Sequence, residues 1–292
     1  SLLLNRQTIQ ELLSMEEEVG LLEKAFAELV NGTSVMPQRV AVVDTASNGW
    51  YAFMPGQLKE MGALGIKVVT VYKDNPSKYD LPSTLATMVL LDGDTGRPLS
   101  VMDGGFITAM RTGGASGLAT KILARPDAKI AGVLGTGVQA RAQLMGISVA
   151  LNLDQVLCYS EDTVEKQNEF ASEVSQILNV PVTVAKSARD LVESVEVLSL
   201  ATTSSKPIID GDWVKDGTHI NAVGSHTPGA RELDTKTVVR SKIVCDYQAA
   251  CLAEAGDLLI PIEEGSLSAE LIYGDLGEIV VGKKKGRESD RD

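Results

Sequence analysis

The sequence predicts an α/β protein in two parts: an α+β unit with a mixed or antiparallel sheet, then a doubly wound parallel sheet. Three observations carry this. After Asp127, short apolar runs alternate with helix-compatible segments, the strand–helix–strand pattern. Before Arg111, strand-like pieces follow one another with turns between them. The 292 residues are 44% apolar but only 4% aromatic, so the core material is mostly Val, Leu, Ile and Ala. That composition suits buried parallel strands better than an aromatic-rich β sandwich.

The first element is "SMEEEVGLLEKAFAELVNG". Ser14 with Glu17 three residues on forms a capping box; Val19, Leu22, Phe26, Leu29 and Val30 share one helical face, and Gly32 suits the stop. "RVAVVD", "WYAFMPG" and "GIKVVTVYK" read as strands. "STLATMVLLDGDTGRPLSVMDG" reads as two strands joined at Asp92-Gly93-Asp94-Thr95-Gly96; the remaining ligand spacing of a calcium loop is missing, so this is a hairpin turn. "RTGGASGLATKIL" is small-residue helix material.

Strands "KIAGVLG", "DQVLCYS", "PVTVA", "EVLSLAT" and "HINAVG" follow, with helices "VQARAQLMGISVAL", "VEKQNEFASEVSQIL" and "ARDLVESV" between the earlier ones. The expected division is residues 1–115 and 116–276, with 277–292 rejoining the first domain and "GKKKGRESDRD" a solvated end.

The net charge is −12, from 27 basic and 39 acidic side chains, which argues against a nucleic-acid or membrane-surface partner. A few convergent cations can still make a local site for an anionic substrate. The cysteines, Cys158, Cys245 and Cys251, are odd in number and include no C-x-x-C pair, as expected of buried or idle thiols in a reducing compartment. No apolar run reaches transmembrane length and no signal peptide opens the chain, so the expected location is the cytoplasm. His219 and His226 lack metal-site spacing and company, so no metal is expected; His219, at a strand start, is assigned a structural role.

"KIAGVLGTGVQARAQL" carries the chemistry. Gly135-Thr136-Gly137-Val138-Gln139-Ala140 follows a strand and opens a helix, the context that turns a weak glycine pattern into a dinucleotide cradle. Gly135 allows the tight turn, Gly137 lets a pyrophosphate approach, and Ala140 lets helix and strand pack closely. Free N–H groups and the positive dipole end would hold the phosphates, with Arg141 or Gln143 as possible assistants. The next strand ends in Tyr159-Ser160-Glu161-Asp162. Ser160 stands where an acid would bond the ribose 2′-hydroxyl of NAD, while Glu161 beside it would repel the 2′-phosphate of NADP. NAD is therefore favoured over NADP.

Several segments together resemble the ornithine cyclodeaminase and mu-crystallin family, which includes archaeal-type alanine dehydrogenases. They are "MPQRV", "FMPG", "GIKVV", "LPSTLATMVLLDGDTGRPLSVMDG", "RTGGASGLATKILAR", "GVLGTGVQA", "GTHINAVGSHTPGARELD", "EAGDLLIPI" and "GDLGEIVVGKKKGRESD", in order over nearly the whole chain. The resemblance implies a homodimer in which an N-terminal substrate-binding and dimerisation domain precedes a Rossmann domain. It matches Arg39, Lys67 and Arg111 to the family's substrate-carboxylate cluster. Lys67 lies in an apolar strand, where desolvation would lower its pKa toward acid–base use. The expected cofactor contacts are Ser83, Thr112, Thr202 and Val223 besides the cradle, Ser160 and Glu161.

Two features depart from the family. Cyclodeaminases and the alanine dehydrogenases carry an aspartate just before Pro-Gly; here the loop is "GSHTPG", with His226 at that position. A histidine near neutral pH does not supply the anion that orients a distal amine, but it can act as general acid or base. The family also continues into a helical tail past "GRESD", whereas this chain stops at Asp292. The leading expectation is an NAD(P)-dependent oxidoreductase of the Cα–N bond of a small amino or imino acid, of alanine dehydrogenase or ketimine reductase type. Ornithine cyclodeaminase and a low-turnover mu-crystallin-like binding protein are the alternatives.

Overall fold

Ser14 caps the long N-terminal helix as its spacing to Glu17 predicts. Its Oγ accepts the Glu17 N–H at 3.2 Å, while the Glu17 carboxylate accepts the Ser14 N–H at 3.0 Å. Gly32 ends that helix in the left-handed conformation, with φ 74°. The computed structural model describes residues 1–292 in two units, Ser1–Arg111 and Thr112–Asp292.

The first unit runs β1 (Leu2–Leu4), α1 (Arg6–Leu12), α2 (Met15–Asn31), β2 (Ser34–Val35), β3 (Val40–Asp44), β4 (Gly49–Leu58), β5 (Ala63–Tyr72), α3 (Asn75–Lys78), β6 (Thr84–Asp92) and β7 (Pro98–Asp103). Its seven-stranded sheet has the order β1-β7-β6-β5-β4-β2, with β3 on β4. Strands β4 to β7 form an antiparallel meander, and β1 joins β7 in parallel. The β6–β7 turn is the expected hairpin: the Asp92 carboxylate accepts the Thr95 N–H at 2.9 Å and its hydroxyl at 2.6 Å. Alternation then separates the faces. Ala52 and Val69, directly opposite on β4 and β5, are buried. Val40, Val42, Phe53 and Leu85 stand exposed on the other face.

Helix α4 (Gly104–Leu123) begins seven residues before the expected "RTGG" start, and the division between units falls within it. The second unit continues β8 (Ile130–Leu134), α5 (Val138–Ala150), β9 (Gln155–Tyr159), α6 (Val164–Leu178), β10 (Val182–Val184), α7 (Ala188–Val192), β11 (Val197–Leu200) and β12 (His219–Ala222). These strands form a five-stranded, wholly parallel sheet of order β10-β9-β8-β11-β12. The order reverses at β8, so the loop after β8 sits at the switch point where such sheets bind ligands.

Beyond β12 come α8 (Thr235–Arg240), β13 (Val244–Cys245), α9 (Gln248–Glu254), α10 (Gly256–Glu263), β14 (Gly274–Asp275) and α11 (Leu276–Val280). They close over a separate cluster of Val238, Cys245, Leu258, Leu267 and Ile272. Residues 277–292 pack within this second unit, where the sequence reading has them rejoining the first. Arg287 Nε donates to the Leu123 carbonyl at 2.7 Å and its Nη2 to that of Gly217 at 3.1 Å, while Lys242 Nζ donates to the Gly286 carbonyl at 2.7 Å. A basic segment satisfying buried carbonyls is a tertiary event that its polar composition conceals.

Helices α4 and α5 meet backbone to backbone. A Cβ at Gly113 would lie 2.1 Å from the Ala142 carbonyl oxygen, and one at Gly146 would lie 2.0 Å from that of Gly113. The contact sets the expected sign for Gly146→Ala. In an open helix the change stabilises by up to about 1 kcal/mol; here overpacking reverses it to a loss of about 1–3 kcal/mol. The urea midpoint of unfolding should fall, and an unchanged or raised midpoint would contradict this packing.

Candidate functional site

In the first unit the site begins with Lys67 on β5. The antiparallel register places it opposite Met54 on β4 and Met88 on β6, and Met88 lies opposite Met102 on β7. Partners directly opposite share a face, so the ammonium stands in a row of thioethers that accept hydrogen bonds only weakly. Burial, and then the charges of Arg111 and Arg39, bring its pKa down to about 7. That field brings together the three cations expected from sequence, one from β5, one just before β3 and one on α4. A cluster of like charges in an apolar setting is a site prepared for an anion.

Glu18 on α2 was legible only as part of an acidic first turn. It is buried, with its pKa raised by burial against the opposing field of Arg111. Ser83 is exposed in the segment leading to β6, and its carbonyl accepts the Tyr72 N–H at 2.8 Å.

In the second unit the phosphate loop follows β8. Gly135 has φ 112°, and a Cβ there would lie 2.5 Å from the Ala201 carbonyl oxygen, so only glycine makes this turn beside β11. Gly137 is the N-cap of α5 but supplies no side-chain cap, and a Cβ there would meet nothing within 4 Å. The first N–H groups of α5 thus face open space with the positive dipole end behind them. Val138 is exposed, Ala140 is fully buried, and Gln139 Oε1 is buried without a partner inside the protein. Open N–H groups at a glycine turn fit an anionic pyrophosphate.

Of the two acids that follow β9, Asp162 is the one that bonds back to the phosphate loop. Asp162 Oδ2 accepts the Thr136 hydroxyl at 2.6 Å and the Ser160 hydroxyl at 3.2 Å, and the Thr136 bond leads in holding its pKa low. Glu161 is exposed. The signal was present in the sequence, since Asp162 lies two residues past Ser160, but the back-folding of the loop is not readable from spacing. The two residues named as phosphate assistants have partners within the protein, and Arg141 Nη1 also donates to the Thr136 carbonyl of the phosphate loop at 3.4 Å. Arg141 pairs with Glu173 and lies over the Phe170 ring, 5.1 Å from its centre. Gln143 is fully buried, donating to the Thr112 carbonyl at 3.2 Å and accepting the Ser199 hydroxyl at 3.0 Å.

Thr202 and Val223 follow β11 and β12, and the Val223 N–H donates to the Leu200 carbonyl at 3.1 Å. His226 is exposed, and its Nδ1 lies 2.8 Å from the Gly224 carbonyl oxygen. A carbonyl only accepts, so Nδ1 carries the proton and a neutral ring keeps its lone pair on Nε2. His219 is buried against Asn221 Oδ1 at 3.2 Å, and burial lowers its pKa to about 4.

A parallel sheet with a glycine turn opening a helix at its switch point defines a Rossmann-type α/β protein. The chain belongs to the ornithine cyclodeaminase/mu-crystallin family, whose profile matches residues 1–292. It is 44% identical to Thermococcus litoralis Δ1-pyrroline-2-carboxylate reductase, solved with NADH and L-proline; the match covers 100% of this chain and 90% of that one, with TM-score 0.96. An archaeal alanine dehydrogenase dimer with bound NAD is 33% identical over 100% of this chain and 88% of that one, with TM-score 0.93. The ketimine reductase mu-crystallin of Macropus fuliginosus is 34% identical over 90% of this chain and 81% of its own length.

The low Lys67 pKa is testable directly. After reductive methylation with ¹³C-formaldehyde, one lysine methyl signal should titrate near pH 7, far below the others. Arg39→Gln or Arg111→Gln should move that midpoint upward, because removing a like charge favours the ammonium. A midpoint near that of free lysine would show that Lys67 is solvated.

Proposed function

We propose that this protein is an NAD(P)-dependent oxidoreductase that reduces the C=N bond of a small imino acid, a cyclic imine carboxylate of the proline type being the preferred substrate. The observation that carries the reading is the methionine-lined cluster in which burial, and then the charges of Arg111 and Arg39, bring the Lys67 pKa down to about 7. The two guanidinium groups bind the substrate carboxylate as charged forks. Lys67, as an ammonium, gives its proton to the substrate nitrogen during reduction. A group titrating near neutrality can both lose and regain a proton at working pH.

The α5 N-terminus, with Gly135, Gly137, Val138, Gln139 and Ala140, would hold the pyrophosphate of the dinucleotide. Ser160 and Asp162 would meet the adenosine ribose, where the Asp162 carboxylate would favour NAD by opposing a 2′-phosphate. Thr202, Val223, Thr112 and Ser83 complete the expected contacts. When bound, the nicotinamide supplies the hydride for the imine carbon. His226 leaves the loop before Pro-Gly without the anion that a diamine substrate requires, which disfavours the cyclodeaminase reading.

A homodimer and a cytoplasmic location belong to the same proposal. The exposed Val40, Val42, Phe53 and Leu85 face is an apolar surface suited to a second copy. The three thiols are unpaired, and no helix is long and apolar enough to cross a membrane.

The test follows NADH and NADPH oxidation with Δ1-pyrroline-2-carboxylate, with pyruvate plus ammonia, and proline formation from ornithine. Reduction of the cyclic imine, with NADH preferred and ornithine poorly used, is expected. Efficient proline formation from ornithine with no net redox activity would replace this reading with the cyclodeaminase. The kcat/KM for imine reduction should fall about tenfold per pH unit above a midpoint of about 7, as Lys67 loses the proton it must give. A profile flat from pH 6 to 9 would remove Lys67 from the proton step.

Gly137→Val separates cofactor binding from folding. Its side chain enters open space, so the unfolding temperature should hold while calorimetry shows NADH affinity falling by on the order of 100-fold or more, a loss above about 2.7 kcal/mol. Undiminished affinity in the folded variant would end the assignment of this loop.

A further inference from the structure

We infer that Glu232 is a positioning residue for the nicotinamide end of the cofactor, joining the loops that leave β11 and β12. The inference rests on the oxidoreductase reading above. The Glu232 side chain is fully buried. Its Oε1 accepts the Thr202 N–H at 2.7 Å and the Thr202 hydroxyl at 2.6 Å, and its Oε2 accepts the Gly224 N–H at 2.8 Å. Thr202 and Gly224 each lie two residues past the end of a parallel strand. One carboxylate therefore links two adjacent strand exits at the carboxyl edge of the sheet, the edge where ligands bind.

The sheet order assigns the end. The sheet order reverses at β8, so a dinucleotide bound at that switch point would place its adenosine half toward β9, the side of Ser160 and Asp162, and its nicotinamide half toward β11 and β12. The Glu232 link lies wholly on the second side.

Glu232 is itself held in place. Asp257 Oδ1 accepts the Glu232 and Leu233 N–H groups at 2.8 and 2.9 Å. The Asp257 N–H donates at 3.0 Å to Ser225 Oγ, whose hydroxyl donates to the Ala230 carbonyl at 2.7 Å, closing the loop that carries His226. Burial pushes the Glu232 pKa up to about 7, opposed by its bonds from Thr202 and Gly224 and reinforced by the charge of Asp257. Burying a carboxylate is costly unless its bonds are met, and here all three donors come from the strand exits it joins.

The geometry supplies two variants that disturb the link from opposite sides. In Glu232→Gln the side chain keeps its shape, but its NH₂ must face the donors of either Gly224 or Thr202. In Gly224→Ala the new Cβ would stand 2.2 Å from Glu232 Oε2 and displace it. In either folded variant, NADH affinity should fall on the order of tenfold through lost preorganisation. The kcat for imine reduction should fall on the order of 100-fold, as a misplacement of about 1 Å would cause. Substrate KM should change little. The affinity for ADP should be unchanged, because ADP occupies only the α5 and β9 side.

The effects of the two substitutions should not add when combined, since both break one contact. If Glu232→Gln does not fold, Gly224→Ala carries the comparison. Unchanged NADH affinity and kcat in a folded variant, or equal weakening of NADH and ADP, would overturn the positioning role and leave the oxidoreductase reading standing. No NADH binding and no imine reduction by the unmutated protein would instead overturn that reading, and this inference with it.

Discussion

The backbone contact between α4 and α5 is the constraint on which the second unit depends. Gly113, Gly117 and Gly146 remove the side chains that would hold the helices apart. At that distance Gln143 reaches from α5 to the Thr112 carbonyl on α4 and to the Ser199 hydroxyl on β11. A buried amide satisfied on both sides fixes the roll of α5 as well as its distance. The direction of α5 then decides where its first N–H groups point, and so where an anion can be held. The same contact explains why "RTGGASG" is rich in small residues yet helical: its glycines lower helix propensity and are retained for the approach they permit.

Electrostatics work against the overall charge. The chain carries a net −12, yet its first unit concentrates Arg39, Lys67 and Arg111 closely enough that two of them lower the pKa of the third. Local geometry prevails because neighbouring charges in an apolar setting outweigh distant carboxylates screened by solvent. The methionine row matters as much as the guanidinium groups, since burial is the leading cause of the Lys67 shift. Glu18 is buried within the Arg111 field, and burial raises its pKa against that field.

Buried acids elsewhere are satisfied by neutral donors. Glu28 accepts the Glu60 and Met61 N–H groups at the β4–β5 turn, and Asp257 accepts two consecutive backbone N–H groups. These carboxylates replace the regular backbone pairing that loops lack, which keeps loop backbone ordered where sheet and helix bonds have ended.

What the sequence determined by itself is what depends on near neighbours along the chain. The Ser14–Glu17 box, the hairpin at Asp92, the strand–helix alternation after Asp127 and the glycine turn at Gly135 all follow from spacing and backbone preference within a few residues. The resemblance brought Arg39, Lys67 and Arg111 to attention, and strand apolarity foretold the direction of the Lys67 shift. Only the tertiary structure decided the rest. The β1 strand is three residues long, too short for its period to be read, and it forms only by pairing with β7 about a hundred residues away. Of the two acids that follow β9, Asp162 bonds back to the phosphate loop because its own loop folds back on Thr136. Arg141 is taken up by Glu173 and Phe170, Gln143 by the interior, and the charged segment 277–292 by the second unit's carbonyls. Each of these outcomes turns on which distant group satisfies a charge or a hydrogen bond, and that choice exists only after the chain has folded.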